Sequence, residues 1–425
     1  MANKPLPFSE SVIKSWVEHA QTPFYVYDEA GLQETARAIN KAFSWVGEVS
    51  SAPYVNFFAV KATPTPMIMN LLKAEGMGFD ASSGAEIELA QRCDAQPGDI
   101  MFSSNNTDPS EYREAYEAGA LINLDDYNQI NVLQRALDGE FPQFISFRYN
   151  PGSKKSSGVN SIIGSPEDAK FGVPDTQLFE AYKKVRELGA TRFGIHTMLA
   201  SNEVSTKAHL MTAQLLFEKS LQLRDELGIE VELVNLGGGL GIPYHPEEQS
   251  ADVDELGEHV KQLYQDILLS KNLKPRLVTE YGRFVTGPHG YLITKVRSIK
   301  ETFHRFVGVD ATMANLMRPG MYDAYHHISV IDSGGRKLKP QAVVGSLCEN
   351  NDFFTGNITM ERDLPLMQAG DIVVIHDAGA HGHAMGFNYN GKLRSAEYLA
   401  KGGGRLELIR RAETRKDLFA TLDGV

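Results

Sequence analysis

The sequence contains only two cysteines, Cys93 and Cys348, in 425 residues. So few cysteines in a chain of this length exclude a disulfide scaffold and favour a cytoplasmic location. Runs of basic residues are also absent. The 42 Lys and Arg residues are outnumbered by 54 Asp and Glu residues, which gives a net charge of −12. We therefore expect no nucleic-acid partner.

Long hydrophobic runs are missing as well. No segment approaches the roughly 20 uncharged apolar residues that span a bilayer, and Met1–Pro7 lacks the apolar core of a signal peptide. We expect no membrane partner. The chain is 42% hydrophobic and 23% charged, a composition typical of globular proteins. Its length exceeds one ordinary core, which predicts two domains or a large barrel with an appendage.

Short apolar runs alternate with amphipathic stretches over about residues 30–280, a pattern typical of parallel strands joined by crossover helices. We predict eight strands: Tyr54–Val60, Gly78–Ala81, Ile100–Ser103, Leu121–Leu124, Phe144–Tyr149, Arg192–Thr197, Glu232–Leu236 and Leu277–Glu280. Eight strands close a TIM-like (β/α)8 barrel, so the predicted class is α/β. The long segment Asn150–Val173 is predicted to cover the barrel mouth or to be mobile.

The pattern changes after Gly282 to short strand-like runs separated by Gly and Asp turns, which predicts an all-β second domain. An early strand, Pro23–Asp28, precedes the eight and is expected to pair with that domain. We therefore predict a barrel over residues 30–280 and a C-terminal β-barrel or β-sandwich domain built from residues 1–29 and 281–425.

Candidate chemistry begins with Lys61, which follows the first barrel strand. Active sites of such barrels lie where strands end. Burial at the end of an apolar run would favour a neutral amine able to bond covalently to an aldehyde. The alternative is an ordinary surface lysine.

The seventh strand runs into a glycine loop, Gly237–Gly241, whose backbone amides can cradle a phosphate. A plain tight turn is the alternative. A dinucleotide site is disfavoured because Ile242 and Pro243 follow instead of a helix. Glu280 ends the eighth strand with Arg283 three residues later, which could also be a solvated ion pair. An amine, a phosphate cradle and an acid for a ring nitrogen together indicate pyridoxal 5′-phosphate.

Eight ordered segments make the sequence similar to the barrel-type (fold III) pyridoxal-phosphate decarboxylases, and among them to diaminopimelate decarboxylases. These segments are Phe58–Ala62, Gly194–His196, Gly237–Gly241, Glu280–Arg283, Leu316–His326, Gly345–Asp352, Asp377–Gly382 and Asn388–Asn390. The resemblance runs from about Pro23 to Glu397, nearly the whole chain.

The resemblance implies a cofactor site in which Lys61 holds the cofactor covalently and Glu280 pairs with its ring nitrogen. Gly238, Gly239 and Ser201 would hold the phosphate. The complete implied set is Lys61, His196, Met198, Ser201, Gly238, Gly239, Glu280, Arg283 and His381.

The resemblance also implies a diamino-acid substrate, meso-diaminopimelate, decarboxylated to L-lysine and CO2 in the last step of lysine biosynthesis. The implied substrate-binding residues are Arg283, Arg318, Tyr322 and Glu349, and Cys348 would return a proton to the product carbon. In the family, Cys348 and Glu349 project into the partner's barrel, so we expect a homodimer with shared active sites. A small buried hydrophobe is the alternative for Cys348.

Three positions depart from the family pattern. Met198 stands where a second histidine usually covers the cofactor ring, His381 replaces a tyrosine and Tyr281 replaces a proline. A thioether can cover a ring and histidine can donate to a phosphate, so neither of the first two changes forbids the chemistry. A bacterial subgroup of the family reads L-A-S-N and G-A-H-G, as Leu199–Asn202 and Gly379–Gly382 do here.

Rival functions remain open. A decarboxylase of the same fold that acts on ornithine, lysine, arginine or carboxynorspermidine would keep Lys61, Glu280 and Cys348. Arg318 would distinguish it from a diaminopimelate decarboxylase, because a diamine tail offers no carboxylate for this arginine to bind. An alanine racemase would carry an arginine, and not Glu280, at the ring nitrogen. A non-catalytic homologue would have lost Lys61 or Cys348. The neighbouring histidines His326–His327, His381 and His383 are not expected to bind a metal.

Overall fold

The computed structural model describes residues 4–152, 168–356 and 361–424. Most of the segment predicted to cover the mouth, residues 153–167, lies outside this range. The strands are β1 (Phe24–Asp28), β2 (Val55–Ala59), β3 (Gly78–Ala81), β4 (Ile100–Ser103), β5 (Leu121–Leu124), β6 (Phe144–Asn150), β7 (Val173–Pro174), β8 (Arg192–His196), β9 (Leu233–Asn235), β10 (Arg276–Thr279), β11 (Gly290–Glu301), β12 (Arg305–Val309), β13 (Ile328–Val330), β14 (Leu338–Val344), β15 (Arg362–Pro365), β16 (Ile372–Ile375), β17 (Ala396–Lys401) and β18 (Arg405–Arg410).

The α-helices of the same residues differ widely in length. They are α1 (Glu10–His19), α2 (Glu29–Ala42), α3 (Val46–Val49), α4 (Pro66–Ala74), α5 (Gly84–Arg92), α6 (Pro109–Glu117), α7 (Gln129–Ala136), α8 (Asp175–Glu187), α9 (Lys207–Leu227), α10 (Val253–Ile267), α11 (Arg283–Thr286), α12 (Arg318–Tyr322) and α13 (Arg415–Leu418). None of these helices combines the length and apolar character needed to cross a membrane.

The chain divides into two compact units. The barrel unit comprises Gln33–Ile242 and Ser250–Phe284, and the sheet unit comprises Met1–Leu32, Pro243–Gln249 and Val285–Val425. The short segment Pro243–Gln249, which directly follows the glycine loop in sequence, thus groups with the sheet unit. No sequence pattern indicated this assignment.

The barrel unit contains a closed parallel barrel. Its strands follow the order β5-β4-β3-β2-β10-β9-β8-β6, and pairing of β5 with β6 closes the ring. All eight predicted strands are present within one or two residues of their predicted ends, and the predicted barrel is confirmed. A helix follows each of the first seven barrel strands, α4 to α10.

Local sequence signals explain why several barrel helices begin and end where they do. The Ser83 side chain accepts a hydrogen bond from the Glu86 amide at the start of α5. Asp108 accepts one from the Ser110 amide at the start of α6, where Pro109 occupies the first turn. Gly228 ends α9 with a φ of 61°, a conformation in which glycine is not strained.

Apolar side chains fill the amino-terminal part of the barrel. Phe57, Met101, Phe144, Leu233 and Val278, each from a different strand, form one buried cluster. Such layers of inward-facing side chains are what make a barrel of this kind a packed core and not a pore. At the carboxyl ends of the strands the inward-facing side chains are polar, and the candidate site lies there.

The sheet unit contains a mixed nine-stranded sheet with the principal order β15-β14-β12-β11-β1-β17-β18. The predicted early strand is confirmed as β1, which pairs antiparallel with β11 and parallel with β17. The expectation of an all-β domain was wrong, because α1 precedes β1 and the short helices α12 and α13 also belong to the sheet unit. Ser9 caps α1, whose buried Ile13 and Trp16 pack into the core that also contains Phe24.

Candidate active site

The structure places Lys61 and Glu280 at the same end of the barrel. Lys61 lies in a turn directly after β2, and Glu280 directly follows β10, which pairs with β2. Gly282 brings the two segments together, because a Cβ there would lie 2.9 Å from the Cβ of Ala59 and 3.0 Å from that of Ala62. Only glycine allows the chain after Glu280 to approach the lysine turn this closely.

Asn56 on β2 fixes the backbone around Glu280. Its side-chain oxygen accepts hydrogen bonds from the Tyr281 amide at 2.7 Å and the Thr279 hydroxyl at 2.8 Å. Its amide nitrogen donates to the Tyr281 carbonyl at 3.1 Å. Asn56 is fully buried, so these bonds are protected from water and hold residues 279–281 against β2.

A cavity of about 580 Å³ opens at this end of the barrel. It brings together Lys61, His196, Met198, Ser201 and Glu280 from the predicted set. Its full lining is Lys61, Asp80, Ser82, Ser103, Ser104, Asn105, Glu111, Asn123, Asp125, Arg148, Phe171, His196, Met198, Ser201 and Glu280. The lining is dominated by polar and charged side chains, as a phosphorylated and zwitterionic ligand requires.

The expected burial of Lys61 is wrong. Its neighbours Val60 and Ala62 are buried, but the Lys61 side chain is exposed. The short turn Val60–Ala62 after β2 leaves the lysine accessible to solvent although its two neighbours are buried. Its environment therefore comes from the charged groups of the cavity, Glu280 and Asp80, and not from an apolar surrounding.

Glu280 is buried and held as a carboxylate. Burial alone would raise its pKa, but His196, Lys61 and the Asn235 amide outweigh burial and lower the pKa below its usual range. His196 Nε2 lies 3.3 Å from Glu280 Oε2, and Asn235 Nδ2 donates to Glu280 Oε1 at 2.7 Å. Glu280 thus presents a negative charge inside the barrel.

A second buried carboxyl group, Asp80 on β3, has the opposite behaviour. Burial and then the negative charge of Glu280 raise the pKa of Asp80 well above its usual range, although Lys61 and Arg148 oppose the increase. Two acids with pKa values driven apart in one cavity are typical of catalytic sites.

The glycine loop packs tightly against the segment that follows β8. A Cβ on Gly237 would lie 2.3 Å from the Thr197 carbonyl oxygen, and one on Gly239 would lie 2.2 Å from that of Ala200. Both glycines also have positive φ angles, 70° and 91°. The side-chain oxygen of Asn202 accepts from the Ile242 amide at 3.1 Å, which fastens the end of the loop.

The cavity residues fit pyridoxal phosphate. The Gly238 amide donates to the thioether of Met198 at 3.3 Å, a weak acceptor that a phosphate oxygen can readily replace. Among the described residues, buried Oδ1 atoms of Asp80 and Asn123 in the cavity wall have no hydrogen-bond partner. Unsatisfied polar atoms beside a cavity indicate a polar ligand there.

The remaining predicted residues belong to the sheet unit. Arg318 is 6% exposed, and its guanidinium carbon lies 5.2 Å from the ring centroid of Tyr244. Tyr322, Cys348 and Glu349 are exposed, so the small buried hydrophobe that was the alternative for Cys348 is excluded. His381 is half-buried in a tight turn with a φ of 55°.

Arg283, in the barrel unit, begins α11 and is half-buried. The described residues contain no group of three or more His, Cys, Asp or Glu side chains placed to hold a metal ion.

The cavity-facing or supporting residues that escaped sequence reasoning include Asn56, Asp80, Asn123 and Asn235. They share a signal, because each is a polar residue inside an otherwise apolar or small-residue barrel strand. A polar side chain on the inward face of such a strand needs partners inside the barrel. Arg148 and Asp125, whose side chains approach to 3.7 Å, were also missed.

His209 on α9 makes the barrel unit sensitive to acid. It packs edge-on against the Tyr281 ring, and burial lowers its pKa to about 4. Between its ordinary value near 6.5 and this folded value, only the unfolded chain binds the proton, so stability falls as the pH falls. From about pH 6.5 to about pH 5 this one group removes roughly 2 kcal/mol of the free energy of unfolding.

We therefore expect His209→Leu to lose less stability than the wild type between about pH 7.5 and about pH 5. Urea unfolding at the two pH values measures this difference, with the exposed His259→Gln on α10 as the control. An unchanged pH dependence in His209→Leu would show that His209 does not carry the effect.

A closed parallel barrel with a lysine, an acid and a glycine loop at one mouth, joined in one chain to a mixed-sheet unit, defines the class of barrel-type pyridoxal-phosphate decarboxylases. Comparisons agree. The family described as pyridoxal-dependent decarboxylase, pyridoxal binding domain, matches residues 32–287. The chain belongs to this family and is a pyridoxal-phosphate-dependent amino-acid decarboxylase, a carbon–carbon lyase.

Individual relatives cover nearly the whole chain. Protein TabA of Pseudomonas amygdali pv. tabaci is 40% identical over 93% of this chain and 90% of its own length. Diaminopimelate decarboxylase of Methanothermobacter thermautotrophicus is 35% identical over 94% of this chain and 91% of its own. The diaminopimelate decarboxylase structure from M. jannaschii superposes with a TM-score of 0.89 at 30% identity, covering 97% of this chain and 94% of that one. Its co-complex with L-lysine gives 0.86 at 30% identity, covering 98% and 94%.

Proposed function

We propose that this enzyme decarboxylates meso-diaminopimelate to L-lysine and CO2, the last step of lysine biosynthesis. The observation that carries the reaction is the barrel cavity in which Lys61 and Glu280 end neighbouring strands beside the glycine loop. The substrate is supported by the relatives named diaminopimelate decarboxylase and by the related structure in complex with L-lysine.

Five residues of the barrel unit would hold the cofactor. Lys61 would bind it covalently through Nζ, the amides of Gly238 and Gly239 with Ser201 would bind its phosphate, and Glu280 would bind the protonated ring nitrogen. When bound, pyridoxal phosphate supplies a positively charged conjugated ring that accepts the electrons of the breaking carbon–carbon bond. The buried, anionic Glu280 keeps that ring charged because the interaction occurs away from water.

His196, Met198 and His381 would complete the cofactor contacts. His196 lies against Glu280, and Met198 lines the cavity beside Gly238, where its thioether can cover one face of a ring by dispersion. His381 would donate to the phosphate in place of the usual tyrosine. The departures from the family pattern are thus compatible with cofactor binding.

The sheet unit would supply the substrate-binding groups and the proton. Arg318 and Tyr322, together with Arg283, would bind carboxylate groups, and Glu349 would bind the distal ammonium, because opposite charges with hydrogen bonds give the strongest polar contacts. Cys348 would return the proton to the carbon that loses CO2. Its thiol is exposed, while its backbone amide donates to the Asn390 side chain at 2.6 Å.

We further propose a homodimer in which each sheet unit completes the partner's barrel site. Exposure of Tyr322, Cys348 and Glu349 supports this arrangement, because residues that act on a partner's substrate must lie at the surface of their own chain. A dimer with a twofold axis would then contain two identical composite sites.

We also propose that the enzyme is cytoplasmic and has no nucleic-acid or membrane partner. The net charge of −12 makes attraction to a phosphate backbone unfavourable. Both cysteines are free in the structure, as expected where thiols stay reduced.

The substrate is tested by CO2 release from a panel of amino acids. The most informative pair is meso-diaminopimelate and L-lysine, which differ only in the distal carboxylate. We expect kcat/KM for diaminopimelate to exceed that for L-lysine by about 100-fold or more, since L-lysine cannot form the charge-assisted hydrogen bonds that the distal carboxylate would make with Arg318. Ornithine, arginine and carboxynorspermidine complete the panel. Preference for any of these over diaminopimelate would contradict the proposal.

A further inference from the structure

Asn235, the last residue of β9, connects the acid of the site to the glycine loop. Its Nδ2 donates to Glu280 Oε1 at 2.7 Å, and its Oδ1 accepts from the Gly237 amide at 2.9 Å. Because a carboxylate only accepts and a backbone amide only donates, the orientation of the Asn235 amide is unambiguous. Asn235 is fully buried, so neither bond competes with water.

A second connection joins the same two residues. The Glu280 amide donates to the Gly237 carbonyl oxygen at 2.8 Å. Glu280 and Gly237 are therefore linked once through their backbones and once through the Asn235 side chain. The backbone link sets the position of the two segments, whereas the side-chain link sets the direction of the Glu280 carboxylate.

We propose that Asn235 is a positioning residue that orients Glu280 toward the ring nitrogen at a fixed distance from the phosphate loop and lowers the basicity of its carboxylate. This inference rests on the proposed role of Glu280. The ring nitrogen and Glu280 compete for one proton, and a donor to the carboxylate stabilises the state in which the proton stays on the ring.

Asn235→Leu removes both hydrogen bonds while keeping a similar volume. The carboxylate of Glu280 becomes more basic without its donor, so the proton should move from the ring nitrogen toward Glu280. Hydrogen bonds to charged groups are worth enough to expect kcat to fall by about 10- to 100-fold. The KM should change far less, because Asn235 acts through Glu280 and does not contact substrate.

Asn56 provides a matched control. It is an equally buried asparagine at the same end of the barrel, but it bonds to Thr279 and to the backbone of Tyr281, not to the carboxylate of Glu280. Asn56→Ala should lower the melting temperature, but Glu280 keeps its donor Asn235 and its backbone bond to Gly237, so the ring nitrogen should stay protonated. A general loss of stability and a specific effect on Glu280 are thereby separated.

The test is the nitrogen-15 NMR shift of ring-labelled pyridoxal phosphate bound to each holoenzyme without substrate. We expect a protonated shift for the wild type and Asn56→Ala, and a shift toward the deprotonated value for Asn235→Leu. If Asn235→Leu does not fold, Asn235→Ser is expected to give the same change.

An unchanged shift in the folded Asn235 variant, or an equal change in Asn56→Ala, would overturn this inference alone. A deprotonated ring in the wild type would overturn the role of Glu280 and this inference with it.

Discussion

Lys61→Ala is expected to reduce kcat by about 10⁴-fold, a loss typical of removing the residue that forms the covalent bond in an enzyme. The structure explains the size of the effect, because Lys61 lies at the cavity beside Glu280, where its amine would bond the cofactor. The measurement is CO2 release at saturating pyridoxal phosphate, together with mass spectrometry of the borohydride-treated protein. The wild type should gain the mass of the cofactor on the peptide that contains Lys61.

Two controls separate the amine from its charge and from surface lysines. Lys61→Arg keeps the positive charge but cannot form the covalent bond, so it should be as inactive as the alanine variant. Lys73→Ala changes a lysine on α4 that donates to the backbone carbonyls of Cys93 and Asp94, and should remain active. Activity within tenfold of the wild type in Lys61→Ala would remove Lys61 from the chemistry.

Mixing two inactive variants should restore activity if the sites are shared between subunits. Lys61→Ala damages the barrel unit and Cys348→Ala damages the sheet unit. Random exchange makes half of the dimers hybrid, and each hybrid has one intact composite site, so about a quarter of the wild-type activity should return. The measurement is CO2 release after subunit exchange, verified by mass spectrometry with differently tagged chains.

The matched control mixes Lys61→Ala with Glu280→Ala. Both changes lie in the barrel unit, so every site of the hybrid contains one damaged barrel and no activity should return. Recovery in this control, or none for Lys61→Ala with Cys348→Ala despite proven exchange, would contradict a site shared between subunits.

The barrel could be predicted from sequence because its strands are buried on both faces. Most residues of such runs are apolar, as in Phe144–Tyr149, where only Ser146 and Arg148 are polar. Glycine or polar turns bound the runs, so their ends are visible without knowledge of the fold. The helices between them carry local caps, such as Asp108 before α6. Local signals therefore determine most element boundaries in the barrel unit.

The parts that escaped prediction depend on contacts distant in sequence. Helix α1 is short, and its Trp16 is positioned by a hydrogen bond to the Gly404 carbonyl at 2.6 Å, almost the full chain length away. Pro243–Gln249 joins the sheet unit, where Lys4 donates to the Pro243 carbonyl at 2.6 Å. Neither contact leaves a periodic pattern in the sequence.

The candidate site likewise has residues that local sequence signals predict and residues whose roles depend on distant contacts. Lys61, Glu280 and the glycine loop are visible because strand ends and glycine runs are local features. The exposure of Lys61 arises in the short turn after β2, and the partners of Glu280 come from β8 and β9. Asn235 is a single polar residue in a short strand, and its importance appears only when β9 and β10 are seen side by side.

The central claim is that one molecule of pyridoxal phosphate bridges Lys61 and Glu280 at the barrel mouth. Its most direct test is the electron density of crystals grown with the cofactor. We predict density continuous with Lys61 Nζ and a ring nitrogen within about 2.7–2.9 Å of a Glu280 carboxylate oxygen, a charge-assisted hydrogen bond. Cofactor density that is attached to another lysine, or whose ring nitrogen faces away from Glu280, would contradict the claim.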